Sequence, residues 1–133
     1  MALSLEVAEA LEQLTESFPD ALVTHREDGT GGAFVKVDPL PLGDRFNLRS
    51  SWVGFHLVYS YPEAQVYPHF CAPGLTLLDG TPLQAHDGFQ QTTWGLEGAI
   101  EPVTQLSRSS RQWDPMNDTA ASKLHRILNW LRG

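Results

Sequence analysis

The chain is short of residues on which several protein classes depend. It has one cysteine, Cys71, so no intramolecular disulfide can close and a stapled secreted scaffold is excluded. Positive charge is scarce: nine Lys and Arg stand against sixteen Asp and Glu, a formal net charge of −7. A protein that grips a nucleic-acid backbone needs a cationic face to displace counterions, and two Lys and seven Arg are few from which to build one. No nucleic-acid partner is expected. No run approaches the ~18 uncharged apolar residues of a membrane span. The N-terminal Met1-Ala2-Leu3-Ser4-Leu5-Glu6 lacks the basic flank of a secretory signal, and Glu6, Glu9, Glu12 and Glu16 interrupt it. The expectation is a cytoplasmic protein with no membrane partner. What the chain does have is the material of a core. Its 133 residues are 41% hydrophobic and include four Trp, three Tyr and six Phe, so residues 1–133 are expected to form a single domain. A domain of this size buries roughly two-thirds of its unfolded surface.

Residues 3–18 predict an amphipathic helix. Val7, Leu11, Leu14 and Phe18 recur at helical spacing, the acids fill the other face, and Pro19 ends it. Ala21–Thr24 and Ala33–Val37 are strand candidates on either side of the turn Asp28-Gly29-Thr30-Gly31-Gly32. Asp38-Pro39-Leu40-Pro41-Leu42-Gly43 reads as a stiff connector. Trp52–Tyr59 is the clearest strand, with Val53, Phe55, Leu57 and Tyr59 on one face and Gly54, His56 and Val58 on the other. A short extended run follows at Val66–Phe70, and residues 72–102 are broken by glycine and read as loop-rich. Asp118 or Thr119 caps a final helix to about Leu131, with Ala120, Ala121, Leu124, Ile127, Leu128 and Leu131 on one stripe. Lys123, Arg126 and Arg132 suit the negative end of its dipole. The expected fold class is α+β: an N-terminal helix, a four-stranded antiparallel meander, an irregular segment, and a C-terminal helix packed on the sheet.

Chemistry is sparse. His25, His56, His69, His86 and His125 include no pair at metal-site spacing, and ordinary surface or half-buried imidazoles are the plainer reading. No metal and no cofactor are expected. Cys71 lies two residues from His69, on the same face of a strand, where an imidazole can activate a thiol. A lone Cys between Phe70 and Ala72 is more often simply buried. Gly29, Gly31 and Gly32 sit on a hairpin-like turn with no Lys-Ser/Thr and no following helix, so they make no phosphate loop. The hydroxyl-rich segment Val103–Pro115 differs. It carries Ser107, Ser109, Ser110, Arg108 and Arg111 ahead of a helix N-terminus, where negative charge is favoured. The plain alternative is a surface loop in which Trp113 plugs the core.

Three motifs follow one another in order. Phe55-His56-Leu57-Val58-Tyr59-Ser60-Tyr61-Pro62 is an aromatic-x-aliphatic strand running into Tyr-Pro. Val66-Tyr67-Pro68-His69-Phe70 is a proline-led short strand, and Trp113-Asp114-Pro115 leads into the last helix. Across about residues 3–131 this order resembles the ubiquitin-conjugating enzyme superfamily, in a form that stops where that family's last two helices begin. It looks most like bacterial members found beside activating enzymes and ubiquitin-like modifiers, some of them linked to phage defence. The resemblance implies two partners, a ubiquitin-like modifier and its activating enzyme, and a transfer site just before Trp113.

The chain departs from the family at that site. The family's catalytic Cys stands eight residues before the Trp, and here that position is Gln105, followed by Leu106. Glutamine offers no nucleophile. The family's His-Pro-Asn, whose Asn stabilises the oxyanion, belongs near Gly95–Glu97 and is absent; Gln90, Gln91 and Thr92 are the nearest amide and hydroxyl side chains. Three readings stay open. A hydroxyl replaces the thiol, with Ser107 first and Ser109, Ser110 or Thr104 behind it, while Arg108 and Arg111 hold the modifier's terminal carboxylate region. Alternatively, the domain is a catalytically inactive variant that binds modifier or activating enzyme through its fold. Or Cys71 carries the modifier from a displaced position.

Overall fold

Ser4 opens the first helix: its hydroxyl accepts from the Val7 amide at 3.2 Å, the arrangement of an N-cap. The computed structural model describes residues 2–95 and 98–133, and in it α1 runs Leu5–Ser17, one or two residues inside the predicted limits. Six strands follow: β1 Leu22–Glu27, β2 Ala33–Pro41, β3 Ser50–Leu57, β4 His69–Cys71, β5 Phe89–Trp94 and β6 Glu101–Leu106. The last helix, α2, spans Ala120–Arg132. All pairings are antiparallel, in the order β1-β2-β3-β4-β6-β5.

The sheet therefore has six strands where the residue pattern predicts four. The two extra strands occupy part of the stretch read as loop-rich and the start of the segment read as irregular. Their residues explain the difference. Gln90, Gln91, Thr92, Thr93, Thr104 and Gln105 are polar on both faces, so no apolar alternation marks them. The hairpin is held instead by its backbone ladder and by Thr104. This buried hydroxyl donates to the Ala72 carbonyl at 2.9 Å and accepts from Gln91 Nε2 at 2.8 Å and the Leu75 amide at 3.3 Å. Two other boundaries differ. Asp38–Pro41 belongs to β2, across a register irregularity between Val37 and Leu40. β3 stops at Leu57, because the chain turns where the Tyr61 amide bonds Val58 O, and Tyr59 is left 67% exposed rather than in the core.

One face of the sheet forms the main core. Val35, Val37, Val53, Phe55, Leu57, Cys71 and Leu106 meet Val7, Ala10 and Leu14 of α1 and Leu124, Ile127 and Leu131 of α2. Thr119 caps α2 in a reciprocal box with Ser122, and Tyr61 Oη accepts from the Ala120 amide at 2.9 Å. Trp113 sets the chain's entry into this helix, half-buried against the core with Nε1 donating to Pro62 O at 2.7 Å. Lys123 lies in the first turn of α2 and is buried, so it is not among the cations at the C-terminal end of the dipole.

The opposite face carries a second, aromatic layer. Trp94 stacks on Phe70 at 4.6 Å and on Trp52 at 6.3 Å, and tilts against Phe34 at 5.7 Å, covering Phe70 and Val103, both buried outside the main core. Trp94 lies on the edge strand β5 yet reaches β2. β4 is only three residues long, so the far half of the β5–β6 hairpin is free to curl back across the sheet. Gly54 allows this closeness: a Cβ there would lie 2.7 Å from the Trp94 ring. No helix among the described residues is long and apolar enough to cross a membrane.

Candidate functional site

Between β6 and α2 the chain runs as a loop whose start is pinned by the Ser107 amide donating to Gly88 O at 2.8 Å. Gln65 clamps it further along: its Oε1 accepts from the Ser110 amide at 2.9 Å and its Nε2 reaches Ser109 Oγ at 3.4 Å. Loop and helix enclose a cleft of about 800 Å³. Arg108, Arg111, Lys123 and Arg126 line it, four of the nine cationic side chains of a chain whose net charge is −7. The one carboxylate in the lining, Asp118, is paired with Arg126. The guanidinium of Arg108 lies 5.6 Å over the Trp130 ring, which holds it at the cleft wall. The result is a local positive field suited to a carboxylate or another anion.

Lys123 is the buried member of this set. Its Nζ donates to Arg108 O at 2.7 Å and to the Ser110 hydroxyl. Burial, and then the charges of Arg126 and Arg108, push its pKa from 10.5 down to about 8, with Asp118 opposing. His69 lies near it in the core, its ring 5.2 Å from Phe55, and neither ring nitrogen hydrogen-bonds to any described residue. Burial, aided by the Lys123 charge, lowers the His69 pKa to about 3 and keeps the imidazole neutral.

The residues singled out from the sequence divide between places. Gln105 and Ser107 come together, with Gln105 Nε2 donating to Ser107 Oγ at 2.9 Å, so the first candidate hydroxyl is engaged by the Gln105 amide. Ser109 and Arg111 are exposed and, with Arg108, line the cleft. Trp113 is structural, anchoring the loop to Pro62. Cys71 lies in the main core with no exposed surface, and burial pushes its thiol up to about 12, with the nearby Thr104 hydroxyl opposing weakly. His69 and Cys71 share a face, as their spacing predicts, but the imidazole makes no bond to the thiol. Thr104 is fully committed to backbone and Gln91 partners. Gln90, Gln91 and Thr92 sit on β5, and Gln91 ties Thr104 to the Gly74 amide at 2.9 Å. Leu96 and Glu97, in the stretch Gly95–Glu97 expected for an oxyanion Asn, lie outside the described residues.

Lys123 is the buried cation of the cleft, where its place in the helix suggests a solvated side chain. A signal existed: it stands three residues after Ala120 and four before Ile127, on the buried stripe of α2 rather than its solvent side. A second cleft, of about 230 Å³, lies under the curled hairpin between Phe34 and Trp94 and is spanned by the 3.0 Å pair of Lys36 with Glu101. Among the described residues no three His, Cys, Asp or Glu side chains gather in one place as metal ligands. No protein-family model, curated protein or solved structure matches this chain.

Proposed function

We propose that this domain is a ubiquitin-conjugating-enzyme-like component of a bacterial modification pathway, which accepts or positions a ubiquitin-like modifier delivered by its activating enzyme. The observation that carries this reading is the cationic cleft beside α2. Its loop wall is the segment that precedes Trp113-Asp114-Pro115, where the exposed Arg108 and Arg111 would take the carboxyl-terminal end of a modifier. Transfer then runs through a serine ester, since the segment holds hydroxyls and no thiol.

A second reading has its own support. Cys71 is buried and Gln105 blocks Ser107 with its amide, the pattern of a domain that binds modifier or activating enzyme without carrying it. Incubation with activating enzyme, ATP and modifier, followed by mass spectrometry, separates the two. Transfer gives an adduct that survives thiol and breaks with hydroxylamine. Pure binding gives none although the activating enzyme is charged, and retains an affinity for modifier that Arg108→Glu with Arg111→Glu abolishes. Absence of both adduct and affinity refutes the proposal.

A further inference from the structure

We propose that Ser110 is a nucleophile and Lys123 its general base, so that an acyl group entering the cleft as a thioester is taken up as an ester on Ser110. The modifier as acyl donor rests on the function proposed above; the dyad itself does not.

The two side chains are held in contact from both sides. The Ser110 amide is fixed by Gln65 Oε1 at 2.9 Å, and Lys123 Nζ is fixed by Arg108 O at 2.7 Å while it touches the Ser110 hydroxyl. As an ammonium, Lys123 donates to both oxygens. As an amine it keeps the bond to Arg108 O and offers its lone pair to the Ser110 hydroxyl hydrogen, with no heavy atom displaced. Among the described residues no ion pair holds Lys123 in the charged state: Asp118, the carboxylate in the lining, bonds Arg126. Arg108 from the loop and Arg126 from α2 face it with like charge, Arg111 lines the same cleft, and His69 from β4 is neutral. Burial and those two arginines bring the amine to about 8, close to the pH at which a general base works best. Ser110 is half-buried on the cleft wall, where a donor can reach it. The neighbouring hydroxyls lack this arrangement: among the described residues Ser107 accepts from Gln105, and Ser109 meets Gln65 rather than an amine.

The step balances within the site. Ser110 Oγ attacks the thioester carbonyl carbon, a C–O bond forms, and the hydroxyl proton passes to Lys123 Nζ. Collapse of the tetrahedral intermediate breaks the C–S bond. The departing thiolate takes the proton from Lys123, which returns to the amine. Arg108 and Arg111 supply positive charge to the intermediate's oxyanion.

The test uses the intact protein and an aryl thioester of a short peptide ending in Gly-Gly, with mass spectrometry and peptide mapping. One adduct is expected, on Ser110, stable to thiol and cleaved by hydroxylamine, at a rate that climbs with pH and levels off above about 8. Ser110→Ala removes it. Lys123→Met slows it about 100-fold and flattens the pH profile. Ser110→Cys, which keeps the local packing, carries the peptide as a thiol-labile thioester. No adduct on the native protein, an adduct on Ser107 or Ser109, or an undiminished rate in Ser110→Ala overturns the dyad. Acylation by the peptide thioester without acylation by a charged activating enzyme overturns the modifier reading and leaves the dyad standing.

Discussion

Replacing Lys123 with Met should make the protein more stable at neutral pH, and the gain should fade as the solution becomes alkaline. Lys123 is 1% exposed, and among the described residues it forms no ion pair. Its ammonium is held by one carbonyl and one hydroxyl, with arginines on two sides. In the unfolded chain the same group titrates at its ordinary 10.5, in the folded one at about 8. Below about pH 8 both states are protonated and the folded state bears the full cost of the confined charge. Between about 8 and 10.5 the unfolded chain binds a proton that the folded one lacks, so stability rises with pH across that window. At about 1.4 kcal/mol per pH unit the ceiling is about 3 kcal/mol. Methionine fills the same volume and carries no charge. After loss of the Lys123 hydrogen bonds, Lys123→Met should be about 1–2 kcal/mol more stable at pH 7. Urea unfolding followed by circular dichroism, for both proteins from about pH 7 to 10, measures this. The difference between the two curves is the informative quantity, because the contribution of Cys71 is common to both proteins and cancels in it. A difference that does not change with pH refutes the argument.

Other outcomes follow from particular contacts. Burial alone would raise the Asp28 carboxyl, but hydrogen bonds from His56 at 2.7 Å and from Thr30 and Gly32 outweigh it and bring the pKa to about 2. Its contribution is therefore present above about pH 4 and lost as pH falls toward 2; Asp28→Asn should cost about 1–2 kcal/mol at pH 7 and flatten the acid limb of the stability curve, and an unchanged acid limb would contradict this. Gly54→Ala places a methyl 2.7 Å from Trp94 and 3.0 Å from Trp52, prising the rings apart; it should cost about 1–3 kcal/mol and shift tryptophan emission, and wild-type values for both would rule out the close approach. The Cys71 thiol should ignore a disulfide reagent in the native state and react fully in urea, so prompt native labelling would count against its burial.

Much of the frame is legible along the chain because the residues that make it act locally. Ser4, the apolar spacing to Leu14 and Pro19 mark α1; Thr119 and the stripe from Ala120 to Leu131 mark α2. The turn after β1 follows from Asp28, whose carboxylate accepts from the Thr30 and Gly32 amides at 2.8 and 3.0 Å, and from Gly29 and Gly31, whose positive φ angles no branched residue adopts. The β5–β6 hairpin escapes such reading: β6 is anchored by pairing with His69–Cys71, more than thirty residues away, and by one buried threonine, and β5 then pairs with β6 alone. Lys123 escapes it in part: its spacing puts it on the buried stripe of α2, but its partners lie elsewhere in the chain. A lysine near a helix start is ordinarily solvated, and only the loop from Ser107 to Asp118, folded over it, turns it into a buried amine beside a serine.

The single cysteine, the acidic balance and the helical and turn signals determine, with no coordinates, an α+β chain without intramolecular disulfides whose one thiol is Cys71. Tertiary structure alone decides that Cys71 is sealed in the core and that hydroxyls line the cationic cleft. It also decides that Ser110 rather than Ser107 meets a base. Each of these depends on desolvation and on contacts between residues distant in the chain, and neither quantity is written in local sequence.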